Sequence, residues 1–220
     1  MNENPIVSIN AGEVPTLQIL LMMTIITLLP SIVIMMTSFT RIIIILSFTR
    51  NAMGIQQTPP NMVLIGLALF LTLFIMNPVL EQINTEAYQP YLREEITQEE
   101  ALDKMQQPLK EFMLKQTDTS ALELFSELAG GEKVEEPMEL PMTVVIPSFM
   151  TSELKKGFMA GFILYIPFLL IDIIVSSTLM SMGMIMLPPA TIALPFKLLL
   201  FVTLNGWELL FASIVRNINY

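Results

Sequence analysis

Two oppositely charged residues, Asp172 and Lys197, lie within strongly apolar stretches of the chain, residues 166–179 and 191–203. Because an unpaired charge in hydrocarbon costs several kcal/mol, we expect the two side chains to neutralise each other. A proton or ion relay is the functional alternative. Relays use several titratable groups, whereas this region holds two, so a structural ion pair between helices or between subunits is the favoured interpretation.

A run of methionines precedes a proline pair in the last quarter of the chain. Residues 180–189 read MSMGMIMLPP, with four methionines around Gly183 and then Pro188 and Pro189. Methionine is flexible, apolar and able to repack around different shapes. The residue types alone favour an ordinary hairpin tip with methionine as filler. The alternative is a deformable apolar constriction, repeated around a ring of subunits. It would block ions and open for a transported molecule.

The sequence lacks the residues on which most enzyme chemistry depends. It contains no cysteine and no histidine, which excludes disulfides, thiol nucleophiles, Cys/His zinc sites and imidazole acid–base chemistry. Nucleotide-binding loops and nucleophile–base pairs are also absent from it. We therefore predict no catalytic residue, no cofactor and no metal site, and a protein that is not an enzyme.

The composition is that of a membrane protein with one acidic segment. Hydrophobic residues make up 53% of the 220, and the mean hydropathy is +0.65, so lipid or partner chains must cover the excess apolar surface. The net charge of −9 arises between residues 81 and 156, which hold 16 acidic and 7 basic residues. The Lys and Arg cluster that nucleic-acid binding requires is missing. We expect membrane lipid, and no nucleic acid, among the partners.

The elements that must position these residues are apolar helices. Stretches of about 20 apolar residues, long enough to cross ~30 Å of hydrocarbon, occur at residues 16–48, 62–80, 157–187 and 190–215. The sequence predicts an all-α fold of four spans with three regions: N-terminal hydrophobic helices (1–80), an acidic and extramembrane helical insert (81–156), and a C-terminal hydrophobic hairpin with a Met-rich tip (157–220).

Several helix-breaking residues interrupt these spans. Pro30 divides the first stretch, and Asn61 is placed to cap the helix that follows Pro60. In the C-terminal region, breaks or hinges are expected at Pro167, Gly183, Pro188, Pro189 and Pro195. Broken helices at membrane depth must be buried in protein or line a cavity, so we expect an assembly of several chains.

The acidic insert carries two signatures of helix starts. Thr97 with Glu100, and Ser120 with Glu123, have capping-box spacing, and Gly130 is a stop signal for the second helix. Arg41 and Arg50, taken as cytoplasmic, place this insert on the outer side, although Lys155 and Lys156 compete in the charge rule.

Longer segments of the sequence resemble a known family. They are MTSFTR (36–41), LSFTRNAMGIQQTPPN (46–61), GLALFL (66–71), FILYIPFLLID (162–172), LPFKLLLF (194–201) and the Gly206-Trp207 pair. Together they resemble the signature of the FliP family, the principal subunit of the export gate in bacterial flagellar type III secretion, which has counterparts in virulence injectisomes.

The resemblance implies an oligomeric assembly and a cellular location. Five copies would assemble with FliQ-like and FliR-like subunits, alongside other export apparatus components, into a helical and closed channel. The channel would conduct unfolded flagellar substrates across the bacterial inner membrane in the flagellar basal body. Much of the complex would be displaced toward the periplasmic side, so that apolar segments need not be conventional bilayer crossings.

The resemblance also assigns residues. The family's methionine gasket falls on Met184, Ile185 and Met186, with isoleucine at a position where relatives can carry methionine. Its inter-subunit ion pair falls on Asp172 and Lys197. Relatives are made with a cleavable signal sequence, so residue 1 is expected near a mature start.

Two alternative functions remain open from the sequence. Thr58 within residues 56–60 is typical of the flagellar branch of the family, and the alternative is the corresponding subunit of an injectisome. An ion-coupled small-solute transporter using Asp172 and Lys197 is a further alternative. It would predict internal repeats, which the sequence does not convincingly display.

Overall fold

Every regular element in the described part of the chain is helical, which confirms the all-α fold class. The structure is a computed structural model that describes residues 16–130, 136–184 and 186–218. A π-helical turn, Asn84–Tyr88, follows α3, and a 3₁₀ turn, Pro137–Glu139, precedes α7. The α-helices are α1 (Thr16–Met36), α2 (Phe39–Ala52), α3 (Asn61–Ile83), α4 (Gln89–Leu92), α5 (Gln98–Gln116), α6 (Thr119–Leu128), α7 (Met142–Ser181), α8 (Pro189–Thr203) and α9 (Gly206–Asn217).

The chain divides into two units, Met1–Val33 and Ile34–Tyr220. The described residues of the first unit belong to α1, and every side chain described there is exposed. Most of these side chains are Leu, Ile or Met. An isolated helix of this composition needs lipid or a partner chain to cover it.

The first apolar stretch is broken at a different place from the one predicted. Pro30 lies inside α1, and the helix ends at Met36, before Thr37 and Ser38. The expected break at Pro30 was therefore wrong. Hydroxyl side chains compete for backbone hydrogen bonds at this position: the Thr37 hydroxyl oxygen accepts from the Phe39 N–H at 3.4 Å.

The start of α3 also differs from the prediction. The helix begins at Asn61, Pro60 is its N-cap residue, and no side chain caps it. Asn61 instead accepts a hydrogen bond from Arg50, with 2.5 Å between Nη1 and Oδ1. Arg50 Nη1 also donates to the Pro59 carbonyl at 3.2 Å. The expectation that Asn61 is a cap was wrong because its side chain binds a cation from α2.

In the insert, one capping box is confirmed and the other was misplaced. Thr97 and Glu100 form the reciprocal box at the start of α5. The N-cap of α6 is Asp118 rather than Ser120. Asp118 is held by α7, because its backbone N–H donates to Ser152 Oγ at 2.9 Å and its carboxylate pairs with Lys155 at 2.8 Å. The Lys155 hydrogen bond keeps the pKa of Asp118 below its usual value.

The helices run across both boundaries of the three-region division. Residues 80 and 81 lie within α3, and residues 156 and 157 lie within the 40-residue helix α7. The division into three regions therefore stays a prediction, based on composition. In the structure, helix α7 belongs to both the insert and the C-terminal hairpin.

The core of the second unit forms where α2 packs along α7. Glycines make this approach possible: a Cβ at Gly161 would lie 2.5 Å from Phe48, and one at Gly157 would lie 3.3 Å from Ile44. The 157–161 spacing is the G-x-x-x-G pattern of closely packed helices in membranes. Residues from α2, α3, α5, α7 and α9 complete the core, among them Ile42, Leu46, Leu64, Phe112, Phe149 and Ile214.

Two helices of the described part have the length and composition of a membrane span. Among the described residues, Asn61–Leu92 and Met142–Ser181 are long and apolar enough to cross a bilayer. The α8 and α9 helices meet at 62° and qualify as a third only if the bent pair is taken as one span. Within these residues, two of the four crossings expected from hydropathy have a matching long apolar helix, and a third has one if the bent pair is taken as a single span.

Replacing Gly161 with Leu should destabilise the second unit by about 1–3 kcal/mol, because the added side chain overlaps Phe48 in the packed α2–α7 contact. Thermal unfolding of the full chain in detergent measures this loss. Gly66→Ala is the matched control, since a Cβ there meets nothing within 4 Å and alanine favours a helix. Equal unfolding temperatures for the two variants would contradict the close approach.

Candidate functional site

The tip of the α7–α8 hairpin is fixed by its backbone. Helix α7 ends with Gly183 at φ +73°, a left-handed conformation that favours glycine. The Gly183 N–H donates to the Met180 carbonyl and the Met184 N–H to the Leu179 carbonyl, both at 3.0 Å. These two bonds form a Schellman motif, which satisfies the last carbonyls of the helix. The expected break at Gly183 therefore has a defined geometry.

The methionines of this tip face away from the protein core. Met186 is 98% exposed, and Met180 and Met182 are each about two-thirds exposed. Met184 is 40% exposed, and Ile185 lies outside the described residues. Exposed apolar side chains at this density mark a surface that another chain or the membrane covers. The tip is the part of the hairpin best suited to contact something else.

The prolines of the hairpin have two different positions. Pro188 is the N-cap residue of α8 and Pro189 its first residue, a position where the missing N–H costs nothing. Pro167 and Pro195 lie inside α7 and α8, which continue through them. Each removes one hydrogen bond from its helix, and a hinge role for these two stays a prediction.

The two charges predicted to neutralise each other are paired. Lys197 Nζ lies 2.6 Å from Asp172 Oδ2 and joins α8 to α7. Lys197 is 5% exposed and also donates to the Ala52 carbonyl at 3.1 Å. This carbonyl ends α2, where the helix dipole favours a cation. The pair lies within one chain, and its expected role between subunits stays a prediction.

A ladder of aromatic rings holds α8 and α9 beside α7. Phe168 of α7 contacts Phe201 of α8 at 6.3 Å between ring centroids. Phe201 meets Trp207 edge to face at 5.1 Å, and Trp207 reaches Phe211 at 5.9 Å. Such pairs contribute about 0.5–1.5 kcal/mol each beyond the area that they bury. The ladder sets where α9 begins, next to the Phe168 level of α7.

A second buried ion pair was missed in the sequence. Arg41 of α2 and Glu153 of α7 form a salt bridge in the core, with exposures of 6% and 0%. Arg41 Nε donates to Glu153 Oε2 at 3.1 Å, and Nη2 donates to Gln116 Oε1 at 3.1 Å as well as to the second oxygen of Glu153. The signal was available, because Arg41 precedes an apolar run, as Lys197 does.

This burial corrects the use of Arg41 as a cytoplasmic loop charge. The charge rule concerns Lys and Arg in short loops near the membrane. Arg41 lies inside a helix and is neutralised by Glu153. It therefore provides no argument about which side the insert occupies.

The described residues contain no group of three or more carboxylates placed to hold a metal ion. Two pairs of charged side chains lie inside their apolar part: Arg41 with Glu153, and Lys197 with Asp172. Such pairs are suited to fixing helices against each other rather than to moving protons along a series of groups.

Comparison with known proteins identifies the family of this fold. The model of the FliP family matches residues 22–214. The chain belongs to the FliP family. Three relatives named Flagellar biosynthetic protein FliP are similar over most of their length. The one from Aquifex aeolicus is 51% identical over 97% of this chain and 91% of its own.

The other two relatives come from distant bacteria. The Bacillus subtilis protein is 50% identical over 92% of this chain and 91% of its own length. The Pectobacterium carotovorum protein is 50% identical over 94% of this chain and 81% of its own length. The FliP family match spans both buried ion pairs and the Met-rich tip, so each of these features lies within the family region.

Replacing Arg41 alone with Met should cost about 3–5 kcal/mol, because it leaves the Glu153 carboxylate buried without a partner. Combining Arg41→Met with Glu153→Leu should recover most of that loss, since two apolar side chains of similar volume need no pairing. Chemical unfolding of the three proteins in the same detergent measures the differences. Asp118→Asn, which breaks a partly exposed ion pair, is the control and should cost about 1 kcal/mol or less. A double variant no more stable than Arg41→Met would refute the pairing.

Proposed function

We propose that this chain, by its family an inner-membrane component of the flagellar export apparatus, is the core pore-forming subunit of the export gate. It conducts unfolded flagellar substrates across the inner membrane and seals the channel when it is closed. The observation that carries the proposal is the Met-rich tip, whose exposed apolar side chains project from a fixed turn at the end of a 40-residue helix.

The seal is a gasket of Met184, Ile185 and Met186 contributed by each subunit. A ring of such tips excludes ions because an apolar constriction is poorly wetted. The unbranched side chain of methionine repacks around passengers of different shape. Met184 and Met186, the two members among the described residues, are both exposed, which supports a contact with neighbouring copies.

The assembly is a homo-oligomer of five copies with FliQ-like and FliR-like subunits and other export apparatus components. The extent of exposed apolar surface on α1, on the outer face of α3 and along α7 supports coverage by several partners as well as by lipid. In the assembly, the Asp172–Lys197 pair also bridges neighbouring subunits. Displacement of the complex toward the periplasmic side accommodates the short and bent helices α8 and α9.

Chemistry is left to other components, so the chain is not an enzyme and uses no cofactor. Four described charged groups inside the apolar part form two ion pairs, Arg41 with Glu153 and Lys197 with Asp172. A small-solute transporter would use such groups to bind its cargo or coupling ion, and Asp172 and Lys197 are already engaged. The three relatives are named as flagellar proteins, which favours the flagellar gate over the injectisome counterpart.

Replacing Met184, Ile185 and Met186 with Ala should open an ion leak through the assembled complex, since the apolar ring loses the side chains that close it. Ion conductance across membranes carrying the complex measures the leak. The matched control replaces Met22, Met23 and Ile25 with Ala, two methionines and an isoleucine that are also exposed but lie on α1. Unchanged conductance in the tip variant, with assembly and export intact, would place the seal elsewhere.

Neutralising the Asp172–Lys197 pair, with Asp172→Asn and Lys197→Gln together, should leave assembly and substrate export largely intact, because a conduit needs no charge relay at this position. Secretion of flagellar substrates into the medium measures export. A matched pair of changes in the insert, Glu111→Gln with Lys115→Gln, controls for the loss of charge. Complete loss of export despite normal assembly would favour ion coupling through these residues.

A further inference from the structure

A groove on the second unit is apolar along its length and cationic at one end. It has a volume of about 420 Å³, within the ~300–1,000 Å³ typical of ligand pockets. Three helices form its walls: α2, α7 and α9. The cationic residues in the wall are Arg41 and Lys156, and the polar ones are Ser213 and Asn217. Its other lining residues are all hydrophobic.

All three walls change from polar to apolar in the same direction. Along α2, Arg41 is followed one turn later by Ile45. Along α7, which runs beside α2 with Gly157 next to Ile44, Lys156 is followed by Ala160 and Leu164. From Lys156 to Leu164 the α7 wall therefore extends for roughly 12 Å, of which the apolar part from Met159 onward is roughly 8 Å, at 1.5 Å per residue.

The α9 wall follows the same order although its chain direction is opposite. Helix α9 begins near the Phe168 level, because Trp207 packs on Phe201 and Phe201 contacts Phe168. Its later residues therefore approach the Lys156 end of the groove. Leu210 belongs to the apolar part, and Ser213 and Asn217 extend toward the polar end. The groove matches the shape and polarity of an amphiphile with a single head group.

The charge at the polar end favours an anion. Arg41, Lys155 and Lys156 carry three positive charges there, against two negative charges on Glu153 and Asp118. Lys156 Nζ donates to the Gln116 carbonyl at 2.6 Å and lies 3.4 Å from Asp118 Oδ1. An ammonium group has three donors, so one is left for a further acceptor. These five groups therefore sum to one positive charge, although the insert as a whole is strongly acidic.

We propose that this groove binds one anionic phospholipid of the surrounding membrane, with its phosphate at Lys156 and the Ser213 and Asn217 side chains, and one acyl chain along Ile45, Ile163 and Leu164. Basic pockets between membrane helices bind anionic head groups in this way. The site is separate from the hairpin tip, so it does not depend on the proposed gate.

Native mass spectrometry of the full chain in neutral detergent tests the assignment, with phosphatidylglycerol and phosphatidylcholine of identical acyl chains as probes. The parent should retain phosphatidylglycerol at least about fivefold more tightly, because one cation near an anionic head group contributes about 1 kcal/mol, which is a factor of about five in the binding constant. Lys156→Gln should remove this preference, and Lys156→Arg should keep it.

Two further variants separate the head-group contact from general effects. Lys104→Gln makes the same change of charge on α5, away from the groove, and should bind as the parent does. Ser213→Leu fills the groove from α9 and should weaken retention of phosphatidylglycerol without lowering the unfolding temperature of the lipid-free chain. Equal retention of the two lipids by the parent, or no effect of Lys156→Gln, would overturn the proposal. So would finding the groove covered by a partner chain, with no lipid retained, in the assembled complex.

Discussion

The close contact between α2 and α7 is the constraint on which the rest of the structure depends. Gly157 and Gly161 let the two helices approach until Ile44 and Phe48 lie against glycine backbone. Without that approach, the charges at the two ends of the contact could not reach their partners. The glycines therefore set the distance between α2 and α7 at which both the polar and the apolar contacts can form.

Buried charges hold this contact near each end. Arg41 pairs with Glu153 at one end, and at the other Lys197 joins the last carbonyl of α2 to Asp172 of α7. A buried ion pair adds little net stability, since desolvation offsets the attraction, but breaking one is costly. Pairs at both ends therefore fix the register of α2 against α7 more than they strengthen the contact. A slipped register would leave at least one charge buried without a partner.

This fixed frame leaves its hydrophobic surface for other molecules. Helix α7 connects the Met-rich tip to the core as one continuous helix of 40 residues. The outward faces of α1, α3 and α7 are strongly apolar. A protein built in this way pairs charges between its apolar helices and directs many apolar side chains outward, as expected for a subunit that works within an assembly and a membrane.

The sequence by itself determined the all-α class, the apolar helices, the capping box at Thr97 and the pairing of Asp172 with Lys197. These depend on local periodicity, or on the high cost of a lone charge in an apolar stretch, and both are readable from residue types. Family-specific segments extended this to the FliP family, which the comparisons confirmed. Only the tertiary structure decided that Arg41 is buried on Glu153, that α6 starts at Asp118 rather than Ser120, and that Asn61 binds Arg50 instead of capping α3. In each case the deciding contact comes from another helix, and sequence spacing does not record which partner lies close in space.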